Sequence, residues 1–383
     1  MEAIALQPVD ALTVAMLMDN VTDSLLADQG PAKRPSMAAS PRVPARFLAG
    51  GDTDDALRAE HGFSALVTVA KGDRESRVLF DAGRTPDGVV ENMRRLELSP
   101  RDIDIIVLSH GHWDHTTGMD GLVGELGRRN MPVLIHPEFW TRRRLAFPGR
   151  DPVELPTTSR SALQGAGFEI VERRRPSFLL DGSLLVTGEV DRTTEFERGF
   201  PGHEAHRHGA WRPDPLILDD QALVATVRGR GLVVLTGCGH SGIVNILRYV
   251  RRLTGASRIH AVLGGFHLSG QRSSRSSARR ATRSGTSRPT SSCPPIAPAG
   301  GRRTRSPHAF RRRSSRTASA RATSSPRPSP GRPVGQSGRR MRPTSRRASA
   351  PRGRRRPRRG QDVAPVSCRR RSARERRCTR TPR

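Results

Sequence analysis

The stretch "DIDIIVLSHGHWDH" (Asp102–His115) constrains the fold more than any other part of this chain. Its apolar, β-branched run with no breaker reads as a strand covered on both faces, so chain must pack on either side of its sheet. The strand then ends in His-x-His-x-Asp-His. In extended backbone, side chains two apart point the same way, so His110 and His112 can reach one cation together. Asp114 and His115 come from the next turn and can serve a second cation. Imidazole with carboxylate suits zinc, with manganese or iron as alternatives. Ser109 and Gly111 are small enough for close backbone approach, and "TTG" (Thr116–Gly118) turns the chain toward a helix. A polar surface loop is the competing explanation, but the spacing and the buried strand before it argue for a metal site.

The rest of the first 268 residues alternates strands and helices. "ALTVAMLMDN" (Ala11–Asn20) reads as a first strand and residues 27–55 as a loop. Phe63–Gly83 reads as a hairpin around "KGDRES". Pro86–Leu98 has helical spacing, with Val89, Met93 and Leu96 on one face. "GMDGLVGEL" begins a helix just after the histidines, and "MPVLIHP" is a further strand. Ser183–Arg192, Gln221–His240 and Ile259–Leu268 supply four more strands, the middle segment as a hairpin. Ser241–Gly255 reads as a helix with Ser241 near its N-cap, Ile243, Ile246, Leu247 and Val250 inward, and Gly255 as its stop. Two strand-rich blocks, each with helices, predict an α/β sandwich.

Further site candidates lie at strand ends. "TGCGHSG" puts Cys238 and His240 in a glycine-flanked turn between strand and helix. His240 reads as a metal ligand or a structural turn histidine. Cys238 reads as a bridging thiolate or a small buried residue. His267 in "GGFHL" is a ligand, a substrate contact or a packed strand-end residue. Glu189 in "TGEV" is a substrate contact or a partner of a ligand histidine. Asp81 and Asp219 read as structural, Asp81 by bonding backbone and histidine near the site. "GHEAHRHG" (Gly202–Gly209) reads as a mobile lid rather than a ligand set, and Arg142–Arg144 as a solvated face or a phosphate contact.

With these residues in view, the chain resembles the metallo-β-lactamase superfamily, whose hallmark stands here as "HGHWDH" after "VLFDAG". The resemblance implies a four-layer αββα sandwich with one or two metals at a sheet edge. The diiron oxygen-reducing branch carries Glu where this chain has His112, which favours hydrolytic or group-transfer chemistry. "VTGEVDR", "DDQALVATVRGRGLVVLTGCGHSGIVNIL" and "AVLGGFHL" look like the subgroup named for the dihydropterin–aminobenzene ribosyl phosphate synthase. The similarity covers roughly residues 5–268.

Composition matters because it changes abruptly after Leu268. Residues 1–268 hold 32 basic and 34 acidic side chains, a net of −2. The remaining 67 − 32 = 35 basic and 36 − 34 = 2 acidic groups give residues 269–383 a net of +33. The first part is long enough for one metallo-β-lactamase-like domain with a substantial core, its C-terminal part missing. The Arg/Ser/Pro-rich tail has too little apolar surface to offset its ordering entropy and is expected to be disordered. Taken as written it is a nucleic-acid-binding arm. It contains no lysine and lacks the aromatic interleaving of a base-stacking surface.

A displaced reading frame explains it better. Codons for Ser284–Gly300 can be chosen so that starting each one base earlier reads "LGHLAPDVVVPAHCTGW". "PAHCTGW" is the C-terminal signature that the resemblance implies. The same displacement turns Thr317–Thr323 into "DSVGTRY" or "NSVGTRY", resembling the closing strand. On this reading a one-base displacement near Ser269 removed the last ligand histidine, and no residue of the written tail has a role.

The expected protein is therefore a metal-dependent hydrolase or transferase acting on a small, phosphorylated or pterin-like substrate. His110, His112 and His240 hold one metal. Asp114 and His115 hold the second, and Asp114 is catalytic. A single cysteine in the first part, no basic leader and no apolar run near the roughly 20 residues that span a bilayer point to the cytoplasm. The alternatives are a phosphodiesterase or nucleic-acid-processing enzyme using the basic tail, and an inactive truncated relic.

Overall fold

The computed structural model describes residues 3–268 apart from 37, 39, 128 and 129, together with the backbone of 291–292. The tail beyond Leu268, its expected disorder, its nucleic-acid alternative and most of the displaced-frame segment lie outside the described residues.

The chain opens with β1 (Ala11–Met18). β2 (Arg42–Pro44) and β3 (Asp52–Asp54) pair as a short ribbon inside the stretch expected to be a loop. β4 (Ser64–Lys71) and β5 (Arg74–Phe80) form the expected hairpin. Next come α1 (Gly88–Arg95), β6 (Ile105–Val107), α2 (Met119–Leu126) and β7 (Met131–Ile135). β8 (Arg143–Leu145), β9 (Val153–Glu154), α3 (Arg160–Gly165), β10 (Phe168–Glu172), β11 (Ser177–Leu179) and β12 (Leu184–Val186) follow. After β13 (His203–Arg207) and β14 (Ala210–Pro213) come the hairpin β15 (Ala222–Val227) and β16 (Gly231–Thr236). α4 (Ile243–Thr254), β17 (Ile259–Gly264) and β18 (Ser291–Ser292) complete the described elements.

Two six-stranded sheets result, ordered β1-β4-β5-β6-β7-β10 and β11-β12-β15-β16-β17-β18. Period-two alternation sorts the strand residues into three apolar cores. In β4 and β5, Leu66 and Leu79 join Val89, Met93, Leu122 and Leu163 beneath α1, α2 and α3. Val67, Val78 and Phe80 face the other way and meet Leu184, Leu223, Val233 and Leu235 between the sheets. Leu232 and Val234 face Ile246, Val250 and Leu253 of α4. Three cores separate four layers, helices–sheet–sheet–helix: the αββα sandwich.

β5, β6 and β7 run parallel, as do β16 and β17. Their C-terminal ends deliver Asp81, the histidine cluster, Cys238, His240 and His267, the usual place for ligand chemistry in parallel sheets. A separate four-stranded sheet, β14-β13-β8-β9, carries His203 and Arg143. No helix among the described residues is long and apolar enough to cross a membrane.

α4 starts as expected beside Ser241, with Gly242 as the N-cap at φ 90. Its first-turn N–H groups are taken by a carboxylate from a distant loop, with Val244 N and Asn245 N donating to Glu197 at 3.0 and 2.8 Å. Val244, Tyr249 and Leu253 join the expected Ile246 and Val250 on the inward face, Leu247 packs at its margin, and Ile243 is only half-buried.

Candidate metal centre

Asp81 organises the floor of the site. It is fully buried at φ 62, left-handed backbone that Asp tolerates better than most residues. Its carboxylate accepts Ser109 N at 2.6 Å and Ser109 Oγ at 2.7 Å, and lies 2.7 Å from His115 Nδ1. These contacts fix two tautomers. His115 keeps its Nδ1 proton on Asp81, so Nε2 is the atom turned toward the other candidate ligands and gives up any proton it carries when a cation binds. Ser109 Oγ gives its hydrogen to Asp81, so it accepts from His110 Nδ1 at 2.9 Å, and His110 Nε2 is free.

The free nitrogens converge. His110 Nε2 lies 3.0 Å from His112 Nδ1, and His115 Nε2 lies 3.0 Å from Cys238 Sγ. His240 packs its ring 4.8 Å from His110 and 4.9 Å from His112. Donor atoms of three sets come within 4.8 Å of one another: His110, His112 and His240; His110, His115 and Cys238; Cys238, His240 and His267. Buried Nε2 atoms of His112 and His240 have no hydrogen-bond partner. Crowded imidazoles with unpartnered nitrogens are unfavourable without a shared cation, so the residues present fit a divalent metal.

The turn itself is sterically determined. A Cβ on Gly111 would meet Phe139 O at 2.0 Å, so only glycine lets the strand end close down here. Gly111 N donates to Asp219 at 2.8 Å. Asp219 is bound in turn by the Arg143 guanidinium at 2.6 Å, and Arg143 also reaches Asp214 at 3.0 Å. Arg143 is 2 % exposed, which corrects the reading of Arg142–Arg144 as a solvated face. Successive strand residues point to opposite sides, so β8 turns Arg143 inward and Arg144 the other way.

Asp114 is buried, with Oδ2 3.7 Å from His115 Nε2 and 3.5 Å from the exposed His61. His267 stacks on His240 at 4.7 Å with 28° between rings, held at φ 44. Glu189 stands apart on Arg174 at 2.7 Å and 3.7 Å from buried His136. His61 was not anticipated from sequence, and His203 was misjudged. "GHEAHRHG" is no free lid: β13 pairs with both β8 and β14. His203 is buried, with its ring 5.0 Å from His112. The signal was the alternation that puts His203 and Ala205 on one face.

Burial holds His110, His112 and His240 well below the ordinary histidine range and His203 at about 4. Burial also opposes charging of His115, but Cys238, Asp81 and Asp114 outweigh it and raise its pKa well above normal. The Cys238 thiol is lowered against its own burial by His115 and His267. Depressed imidazoles make stability fall as pH falls. The unfolded chain takes these protons near pH 6.5, the folded one only lower, so the unfolded state binds more protons in between. His115 adds nothing to this slope, because a raised group is fully protonated in both states below about 6.5. Metal-free protein is therefore expected to lose thermal stability steadily from pH ~6.5 toward 4. A flat melting temperature by circular dichroism across that window would contradict the burial of these rings.

The superfamily's sequence profile, Metallo-beta-lactamase superfamily, matches residues 59–253, half of the chain. The chain belongs to this superfamily. Within it, the chain is 30% identical over 220 residues to the 7,8-dihydropterin-6-methyl-4-(beta-D-ribofuranosyl)-aminobenzene-5'-phosphate synthase of Methanocaldococcus jannaschii, covering 55% of this chain and 71% of that one. An uncharacterised protein of the same organism is 33% identical over 213 residues, covering 55% and 74%. Among solved structures, a metal-dependent hydrolase of the beta-lactamase superfamily aligns with a TM-score of 0.48 at 23% identity, over 72% of this chain and 85% of that one. The superfamily's fold is one of divalent-metal sites, and the histidine and cysteine groups stand where its strand ends converge.

Proposed function

We propose that this protein is a zinc-dependent enzyme that acts on a small substrate bearing a phosphoryl or carbonyl group, by group transfer or hydrolysis. The observation that carries the reading is the convergence of His110, His112 and His240 with two buried ring nitrogens left unpartnered. These three hold one cation. Asp114 and His115 hold a second, with Cys238 within reach of His115, and manganese or iron are the alternative metals. When bound, such a cation polarises a phosphoryl or carbonyl oxygen and lowers the pKa of water to about 7. Asp114 orients the attacking group and holds its proton, Asp81 and Ser109 keep the Nε2 atoms of His115 and His110 available, and His267 lines the site. Glu189, tied to Arg174 and set apart from the ligand cluster, would meet only a part of the substrate that reaches beyond it. Likeness to a relative named as a synthase supports transfer, with a pterin-like substrate.

The test is metal content by elemental analysis, followed by turnover of a phosphodiester panel and of a dihydropterin paired with an aminobenzene ribosyl phosphate. Joining of the pair establishes transfer, and phosphodiester cleavage establishes hydrolysis. A zinc-loaded protein inactive on both refutes the substrate reading, and a metal-free protein refutes the centre.

A one-base frame displacement near Ser269 completes this reading. The edge of the second sheet supports it. β18 pairs in parallel with β17 through a bare Ser291–Ser292 dipeptide, an unlikely strand former. The displaced frame writes three valines over positions 291–293. Parallel strands end at one sheet edge, so the histidine three positions beyond those valines would reach the edge that carries Cys238, His240 and His267. Genomic DNA across codon 269 decides it: the written frame found unambiguously in several isolates ends the proposal.

A further inference from the structure

The small sheet β14-β13-β8-β9 is more than a covering. At the start of its β13, His203 continues a series of rings that runs from His112 of the candidate metal centre to Phe200, just before β13, and Phe147, just after β8. His112 and His203 are 5.0 Å apart at 36°, His203 and Phe200 4.9 Å at 58°, and Phe200 and Phe147 5.9 Å at 85°. The phenylalanines are half-buried and His203 is buried. The series is built rather than incidental. A Cβ on Gly202 would lie 2.4 Å from the Phe147 ring, so glycine is needed for the ring to pack there. Ala146 N donates to Gly202 O at 2.8 Å, which ties the end of β8 to the start of β13. Arg143 anchors the same sheet to Asp219, and so to Gly111 between two of the candidate ligands.

One polar atom interrupts this apolar face. His203 Nδ1 is buried without a hydrogen-bond partner. Such an atom is unfavourable unless something satisfies it. His203 is absent from the sets whose donor atoms converge within 4.8 Å, so it stands beside the metal ligands rather than among them. An alkyl chain laid on the face would leave that nitrogen unsatisfied. A flat ring with heteroatoms on its edge can stack on the phenylalanines and bond the imidazole together.

We propose that Phe147, Phe200 and His203 form the substrate-recognition wall of this site, and that the wall selects a planar aromatic ring with a polar edge. The inference rests on the metal-centre reading above and names the substrate class of that site.

The test uses the full chain with zinc added and two probes of equal charge, a pterin carboxylate and hexanoate, followed by calorimetry. The pterin is expected to bind at least about tenfold tighter than hexanoate, and Phe200→Leu to weaken it about fivefold to tenfold while leaving hexanoate unchanged. His203→Gln is expected to weaken the pterin with zinc content intact. Phe200 is half-exposed, so its variant keeps the fold, which circular dichroism checks. Equal binding of the two probes overturns the proposal, as does indifference of the pterin to Phe200→Leu. Loss of zinc in His203→Gln overturns it too, by making His203 a ligand. Zinc content is measured on every sample. A protein that binds the pterin without zinc keeps the wall and loses the metal reading; one that holds zinc and does not discriminate does the reverse.

Discussion

Alanine at both His110 and His112 is expected to abolish metal occupancy and, with it, all turnover. The two rings meet nitrogen to nitrogen at 3.0 Å, and the Ser109–Asp81 relay leaves His110 Nε2 without a proton of its own. That pairing is favourable only when His112 supplies a proton or a cation lies between them. Removing both rings deletes two of three candidate ligands from one set. The loss of affinity should exceed by far the roughly 10–100-fold typical when only a ligand's hydrogen-bond partner is removed. The fold should persist, since none of the three apolar cores includes these rings. Elemental analysis of the variant beside the parent, with circular dichroism as the folding check, reads the result. Undiminished zinc in the variant would sink the assignment.

Arg143→Ala is expected to give the largest loss of stability of any single substitution outside the cores. Arg143 is buried with both its partners, at side-chain exposures of 2%, 8% for Asp214 and 0% for Asp219. Burial opposes its charge, but Asp219 and Asp214 outweigh that and raise its pKa above the normal arginine value. Deleting one partner from a buried ionic cluster leaves the others uncompensated, at a cost of about 3–5 kcal/mol. For a domain of this size that lowers the melting temperature by about 6–20 °C. The effect should extend to the metal, because Asp219 also holds Gly111 N between His110 and His112. Arg143→Lys keeps the charge but not the two-sided fork, and should recover part of the stability and less of the metal affinity. A variant that melts within a degree of the parent would show that the cluster carries little.

The histidine motif was legible because local geometry suffices for it. A strand that alternates at period two and stops in a tight turn must put His110 and His112 together, whatever the rest of the chain does. The hairpins β4–β5 and β15–β16 and the Gly255 stop of α4, at φ 66, were readable for the same reason. Arg142–Arg144 shows where such reading fails. Three consecutive arginines look solvated, and only the pairing of β8 with β13 and β9 reveals that the middle one turns inward to two carboxylates some 70 positions away. His203 was misread likewise. Its burial depends on a sheet whose strands are far apart in sequence.

What is written in the local sequence is therefore most strands and helices of the two large sheets, the α/β sandwich that two apolar blocks impose, and the convergence of His110 and His112. What depends on the assembled fold is which distant groups complete the site. Cys238 beside His115, Glu197 on the start of α4, Arg143 under Gly111 and the ring series from His112 to Phe147 all join residues that no short-range pattern relates. Backbone periodicity acts over a few residues, whereas desolvated charges and unpartnered nitrogens take whichever partner the packing brings within about 3 Å.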